Sequence, residues 1–93
     1  MKIAVVDDDI QLYRNLRSYL EGLLKDFAEI TYFSSGEAFL EAWKAKDFDF
    51  IILDIFMDGI TGMEVARKVR ETDSDVKIAS APPATNLQAR ATR

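Results

Sequence analysis

The apolar positions of this chain change their spacing block by block, and each change marks a new element. Ile3-Ala4-Val5-Val6 is a short apolar run rich in β-branched side chains, and it stops abruptly at Asp7-Asp8-Asp9. Such a run predicts a buried strand that delivers acids to its C-terminal end. From residue 10 to about 25, Leu12, Leu16, Tyr19, Leu20, Leu23 and Leu24 recur at helical spacing, with Arg14, Arg17, Ser18 and Glu21 largely between them. That is an amphipathic helix. Residues 29–33 predict a second strand. Ser34 or Ser35 is placed to cap a second helix, whose apolar stripe is Phe39, Leu40 and Trp43. Residues 48–53 are apolar except for Asp49, the pattern of a strand buried on both faces, and this strand too ends on an acid, Asp54. A loop with Gly59 and Gly62 follows. A third helix is expected from residue 63 to about 71 with Met63, Ala66 and Val69 inward, and a fourth strand starts at Val76-Lys77-Ile78-Ala79. Phe39, Trp43 and the leucines of the first helix are assigned to the core, with Tyr13 and Tyr19 as partly exposed packing residues.

Strand and helix alternate, so the strands are parallel and joined by right-handed crossovers: an α/β, doubly wound parallel sheet. Residues 80–93 break this pattern. They hold two adjacent prolines, no aromatic side chain and none of the chain's acids. We therefore divide the chain into one domain over residues 1–79 and an atypical tail over 80–93.

Composition narrows the chemistry. The 93 residues are 48% hydrophobic and 30% charged, as in an ordinary folded domain. Twelve basic against 16 acidic side chains leave a net charge of −4, which argues against direct nucleic-acid binding. There is no cysteine and no histidine. Disulfides, thiol nucleophiles, serine triads and His-ligated metals are excluded. No apolar run is long enough to span a membrane, and the first residues lack the pattern of a secretion signal, so a cytoplasmic protein is expected.

What remains is carboxylate chemistry. In an open parallel sheet, ligands bind beyond the carboxyl ends of the strands. If the first and third strands are neighbours, Asp7, Asp8 and Asp54 converge there. Three carboxylates in one concavity repel one another unless a hard cation such as Mg²⁺ joins them. With the metal neutralising charge, an aspartate can act as a nucleophile toward phosphorus. Taken alone, Asp7-Asp8 would also fit a solvated acidic turn, Asp9 a helix cap, and Asp54 a strand-end acid capping a loop.

Val5-Val6-Asp7-Asp8, followed by Leu53-Asp54-x-x-Met57-x-Gly59-x-x-Gly62, resembles the receiver domain of bacterial two-component response regulators over about residues 2–78. The string from Leu53 to Gly59, with Asp58 where most receivers have proline, is most similar to receivers of LytTR-type transcriptional regulators. The resemblance implies a flavodoxin-like receiver fold, here incomplete after the fourth strand. It implies Asp54 as the phosphoacceptor, Asp8 as a direct Mg²⁺ ligand, Asp7 acting mainly through water, and the Phe56 backbone carbonyl as a further ligand. The family also places a hydroxyl at the end of strand four, near Ser80, and a lysine at the end of strand five. Lys77 lies too early to replace that lysine. Written with permitted codons, residues 83–93 read two bases later give Ser-Asn-Glu-Phe-Ala-Ser-Glu-Ser-Tyr-Ala, similar to what LytTR-type receivers carry at this point. This predicts a receiver truncated by a frameshift after about residue 78.

The function so implied is not enzymatic: a receiver module that takes a phosphoryl group on Asp54 from a sensor histidine kinase and normally controls a transcriptional output domain, which this chain does not carry. The alternatives are a phosphorylation-deficient fragment that only binds or dimerises, and a small Mg²⁺-dependent aspartyl phosphatase. The latter needs an acid at position 56, where Phe stands. A fragment of this fold would leave apolar surface on the sheet and first helix, so a homodimer, with or without exchanged segments, is expected.

Overall fold

A computed structural model describes residues 1–55, 57 and 59–81. Their elements run β1 (Lys2–Val6), α1 (Ile10–Leu24), a short 3-10 turn (Lys25–Phe27), β2 (Glu29–Phe33), α2 (Gly36–Ala42), β3 (Phe50–Asp54), α3 (Gly62–Thr72) and β4 (Lys77–Ala81). The strands form one parallel sheet in the order β2-β1-β3-β4. β1 therefore lies between β2 and β3, and the register pairs Val6 with Phe33 on one side and Leu53 on the other. This places the ends of β1 and β3 side by side.

Alternation along the strands splits the core in two. Ala4, Val6, Ile51 and Leu53 point to one face, where they pack with Phe39 of α2 and Val65 and Val69 of α3. Ile3 and Val5 point to the other, with Tyr13 of α1 buried against them and Phe50, Ile52 and Tyr32 alongside. The two faces are not equally closed. On the α1 side, Leu12, Leu16, Leu20 and Leu24 border an open apolar trough of about 480 Å³, floored by residues that include Phe50 and Ile52.

Three packing assignments need correction. Leu23, assigned to the core with the other leucines of the first helix, is 61% exposed near the end of α1, outside the row of leucines that borders the trough. Met63 is not inward: it is 60% exposed, and Val65 and Val69 fill the interior in its place. The helix starts at the Thr61 cap, whose hydroxyl accepts from the Glu64 N–H at 3.2 Å, and with Val65 and Val69 against the sheet Met63 falls on the solvent side. Tyr13 is buried rather than partly exposed, because Tyr32 comes across from β2 to stack on it. Tyr19 stands 66% exposed. β4 extends through Ala81. From residue 82 onward, the expected tail and frameshift lie outside the described residues.

Candidate functional site

β1 is apolar through Val6 because both its faces are covered. After Lys2, which opens the strand exposed, the next polar side chains come where the strand leaves the sheet. Asp7 keeps one ladder bond, its N–H donating to the Phe33 carbonyl at 3.0 Å. Asp9 then caps α1, accepting from the N–H groups of Gln11 and Leu12. That agrees with the bland reading of Asp9 and removes it from the site. Asp7 in turn accepts from the Asp9 N–H through Oδ1 at 2.9 Å. The turn between β1 and α1 is thus tied at both ends, with Asp8 between them.

β3 ends on Asp54, and the chain then turns back toward α3. Gly62 stands against the backbone it has just left: a Cβ there would overlap the Asp54 carbonyl oxygen and lie 2.9 Å from Ile55 Cα. Gly59 takes a left-handed φ of 77°, and a Cβ there would lie 2.6 Å from the Glu37 carboxylate. Glu37 accepts from the Ile60 N–H at 3.1 Å, so α2 steadies this loop. Both glycines serve the shape of the loop that carries Asp54.

One carboxylate oxygen each from Asp7, Asp8 and Asp54 lie within 4.8 Å of one another. Asp7 and Asp54 are buried, and Asp8 is exposed. Burial pushes the Asp7 carboxyl up from 3.8 to about 6; the Asp9 N–H draws it partly back, and the charges of Asp54, Asp8 and Asp9 push it up again. Burial does most of this, and the neighbouring carboxylates add to it. A set of hard oxygen donors, two shielded and one open to water, fits a small divalent cation that retains several waters. Asp7, Asp8 and Asp54 are the residues that would hold it.

The other expected contributors are placed less favourably. The Phe56 carbonyl, offered as a further ligand, lies outside the described residues, as does Asp58. Ser80 pairs with Leu53, one step short of the position opposite Asp54. Lys77 pairs with Phe50 at the far end of the strand, about 13 Å from Asp54 along the sheet at the usual rise per residue. Two residues that serve the site were not visible in the sequence. Glu37 reads there only as a first-turn acid. Tyr32, whose hydroxyl donates to the Asp7 carbonyl at 2.7 Å, reads only as a strand residue.

Comparison with known proteins agrees with this geometry. The family model for the response regulator receiver domain matches residues 3–90. The transcriptional regulatory protein ResD of Bacillus subtilis is 37% identical over 70 residues, which are 75% of this chain and 28% of ResD. The response regulator receiver protein CpdR of Brucella abortus is 32% identical over 77 residues, 83% of this chain and 62% of CpdR. This chain thus spans less than two thirds of either relative. Among solved structures, a chain from the crystallised complex of histidine kinase ThkA with response regulator protein TrrA superposes with a TM-score of 0.73 at 31% identity, over 97% of this chain and 78% of that one. A parallel sheet with acids gathered at the ends of its two central strands, and a family match over nearly its whole length, make this chain a member of the response regulator receiver domain family.

Proposed function

We propose that this receiver accepts a phosphoryl group on Asp54 in the presence of Mg²⁺, with Asp7 and Asp8 completing the cation site. The observation that carries this reading is the convergence of three carboxylates within 4.8 Å where β1 and β3 end. A carboxylate oxygen of Asp54 forms the bond to phosphorus, and the bond from phosphorus to the donor's leaving group breaks. With no histidine of its own, the chain takes the phosphoryl group from elsewhere. A sensor kinase's phosphohistidine is the donor proposed here, supported by the likeness to a chain from a kinase–regulator complex. Bound Mg²⁺ would supply neutralising charge at the phosphoryl oxygens. The chain acts as an acceptor that signals, not as a catalyst that turns over. A transcriptional output is proposed for the protein it serves, on the strength of the name of ResD. No helix among the described residues is long and apolar enough to cross a membrane; a cytoplasmic setting is proposed because such a kinase donor would require it.

Intact mass after incubation with Mg²⁺ and a small phosphodonor tests this. We expect the gain of one phosphoryl group, lost in Asp54→Asn. A gain that survives in the mutant moves the acceptor elsewhere, and no gain in the parent chain refutes the reading.

The apolar trough beside α1 favours a second property, self-association, with or without segment exchange. The trough is open, and Tyr19, Leu23 and Phe27 stand exposed on the same helix and the turn after it. Sedimentation at rising concentration is expected to show a dimer. A monodisperse monomer at high concentration refutes it.

A further inference from the structure

The Asp7 carbonyl is held by a side chain for which the acceptor reading has no use. Tyr32 donates to it at 2.7 Å. The Tyr32 ring stacks on that of Tyr13, with centroids 4.1 Å apart and planes 24° from parallel. The Tyr13 hydroxyl in turn accepts from Arg17 Nη1 at 3.4 Å. Tyr13 is buried, so the phenol of Tyr32 is aimed by packing against a fixed neighbour. Asp7 is consequently gripped at three points: its N–H by Phe33, its side chain by the Asp9 N–H, and its carbonyl by Tyr32.

The third grip matters for Asp8. The carbonyl of Asp7 and the nitrogen of Asp8 belong to one planar peptide unit. Fixing the direction of that carbonyl fixes where the Asp8 Cα lies and from where its carboxylate projects. Asp8 is the exposed member of the three acids. A side chain in water gains little orientation from packing, so the peptide behind it contributes to its aim.

We propose that Tyr32 is a positioning residue for the divalent-cation site: its hydroxyl holds the peptide between Asp7 and Asp8 so that Asp8 faces Asp7 and Asp54. This rests on the cation-dependent acceptor reading given above. Tyr32 acts through the backbone and does not touch the cation. Without the hydroxyl, a carbonyl on a buried residue loses its donor, the peptide turns to find water, and Asp8 swings with it.

Tyr32→Phe keeps the ring and the stack and removes the hydroxyl alone. Tyr13→Phe removes a hydroxyl from the same stack without touching Asp7, and so controls for a merely structural effect. Mg²⁺ is titrated by calorimetry into the parent chain, both variants and Asp54→Asn, at one temperature well below unfolding. Tyr32→Phe is expected to weaken Mg²⁺ binding about three- to tenfold, the range that one lost hydrogen bond produces. Tyr13→Phe is expected to stay within about twofold of the parent. Parent-like affinity in Tyr32→Phe overturns the proposal, and so does an equal loss in both variants. If the parent chain does not bind Mg²⁺, or Asp54→Asn binds it unchanged, the acceptor-site reading itself falls and takes the proposal with it. If Tyr32→Phe does not fold, Tyr32→3-fluorotyrosine decides, being nearly the same shape with a stronger hydroxyl donor. Tighter Mg²⁺ binding supports the proposal; unchanged binding overturns it.

Discussion

Asp7 and Asp73 are buried at opposite ends of the same sheet, one where β1 leaves it and one just before β4 enters it. Their surroundings are opposite in kind. Asp73 accepts from three backbone N–H groups, those of Asp75, Val76 and Lys46, at 2.9 to 3.2 Å. The Asp75 N–H does most to hold its carboxyl below the ordinary value; burial opposes it, and the Lys46 and Val76 N–H groups and the Lys46 charge add to the lowering. Asp7 has one such donor, Asp9, and faces two other carboxylates instead. Its carboxyl is pushed up to about 6. The chain has therefore solved the burial of charge at one end with its own backbone and left it unsolved at the other. A carboxylate saturated with N–H donors is a structural part; one held among its own kind is the sort that the proposed cation site would use.

The largest effect that could break this contrast is on folding stability. Asp73→Ala strips three N–H groups of their acceptor and joins no new partner. We expect a clear fall in Tm with Mg²⁺ affinity unchanged, read by thermal melts and calorimetry. Asp7→Asn should do the reverse. It keeps an acceptor for the Asp9 N–H but removes one of the crowded charges. At neutral pH without Mg²⁺ it is expected to stabilise the chain by about 3 kcal/mol, the worth of a shift of this size, while weakening Mg²⁺ binding. A fall in stability for both variants would erase the distinction.

A smaller effect is the pH profile. A raised carboxyl adds stability below its unfolded value near pH 4 and loses it as pH rises through about 6. A lowered one, as at Asp73, adds stability above pH 4 and loses it in stronger acid. Melts without Mg²⁺ should therefore decline between pH 4 and 6 on account of Asp7, and Asp7→Asn should flatten that decline. Mg²⁺ must displace a proton from Asp7 in the same window, so its affinity should fall as pH drops through about 6. The smallest effect concerns the backbone that serves Asp73. Lys46 donates to Asp73 from a left-handed φ of 72°. Lys46→Gly relieves that conformation at some cost in unfolded-chain freedom, so a slight change in Tm is expected, the least of the series.

The sheet and the acids were legible because each rests on a short local pattern. The apolar runs of β1 and β3 state their burial, and the residues that end them state where the charge goes. Adjacency of the two strands had only to be supposed, and the order β2-β1-β3-β4 supplies it. What escaped depends on partners distant in the chain. Tyr13 looks like a boundary residue until Tyr32 arrives from β2. Met63 sits at a plausible inward position until Val65 and Val69 meet Val6, Ile51 and Leu53 and so set the rotation of α3. Asp73 left a faint trace, since an aspartate two residues before Asp75 can accept from that residue's N–H in a local turn. Its bond to the Lys46 N–H, which ties it to the connection between α2 and β3, left none.

The acids of the site reach one another only across α1, β2 and α2, through the parallel pairing of β1 with β3. Such pairings close late, because a long stretch of chain must order before they form. A cation arriving early therefore meets Asp7 and Asp8 without Asp54. On the proposed cation site, magnesium is expected to act on duration and not on speed, leaving the rate of refolding unchanged and slowing unfolding. The lifetime of the folded chain would then be a reading of the magnesium around it.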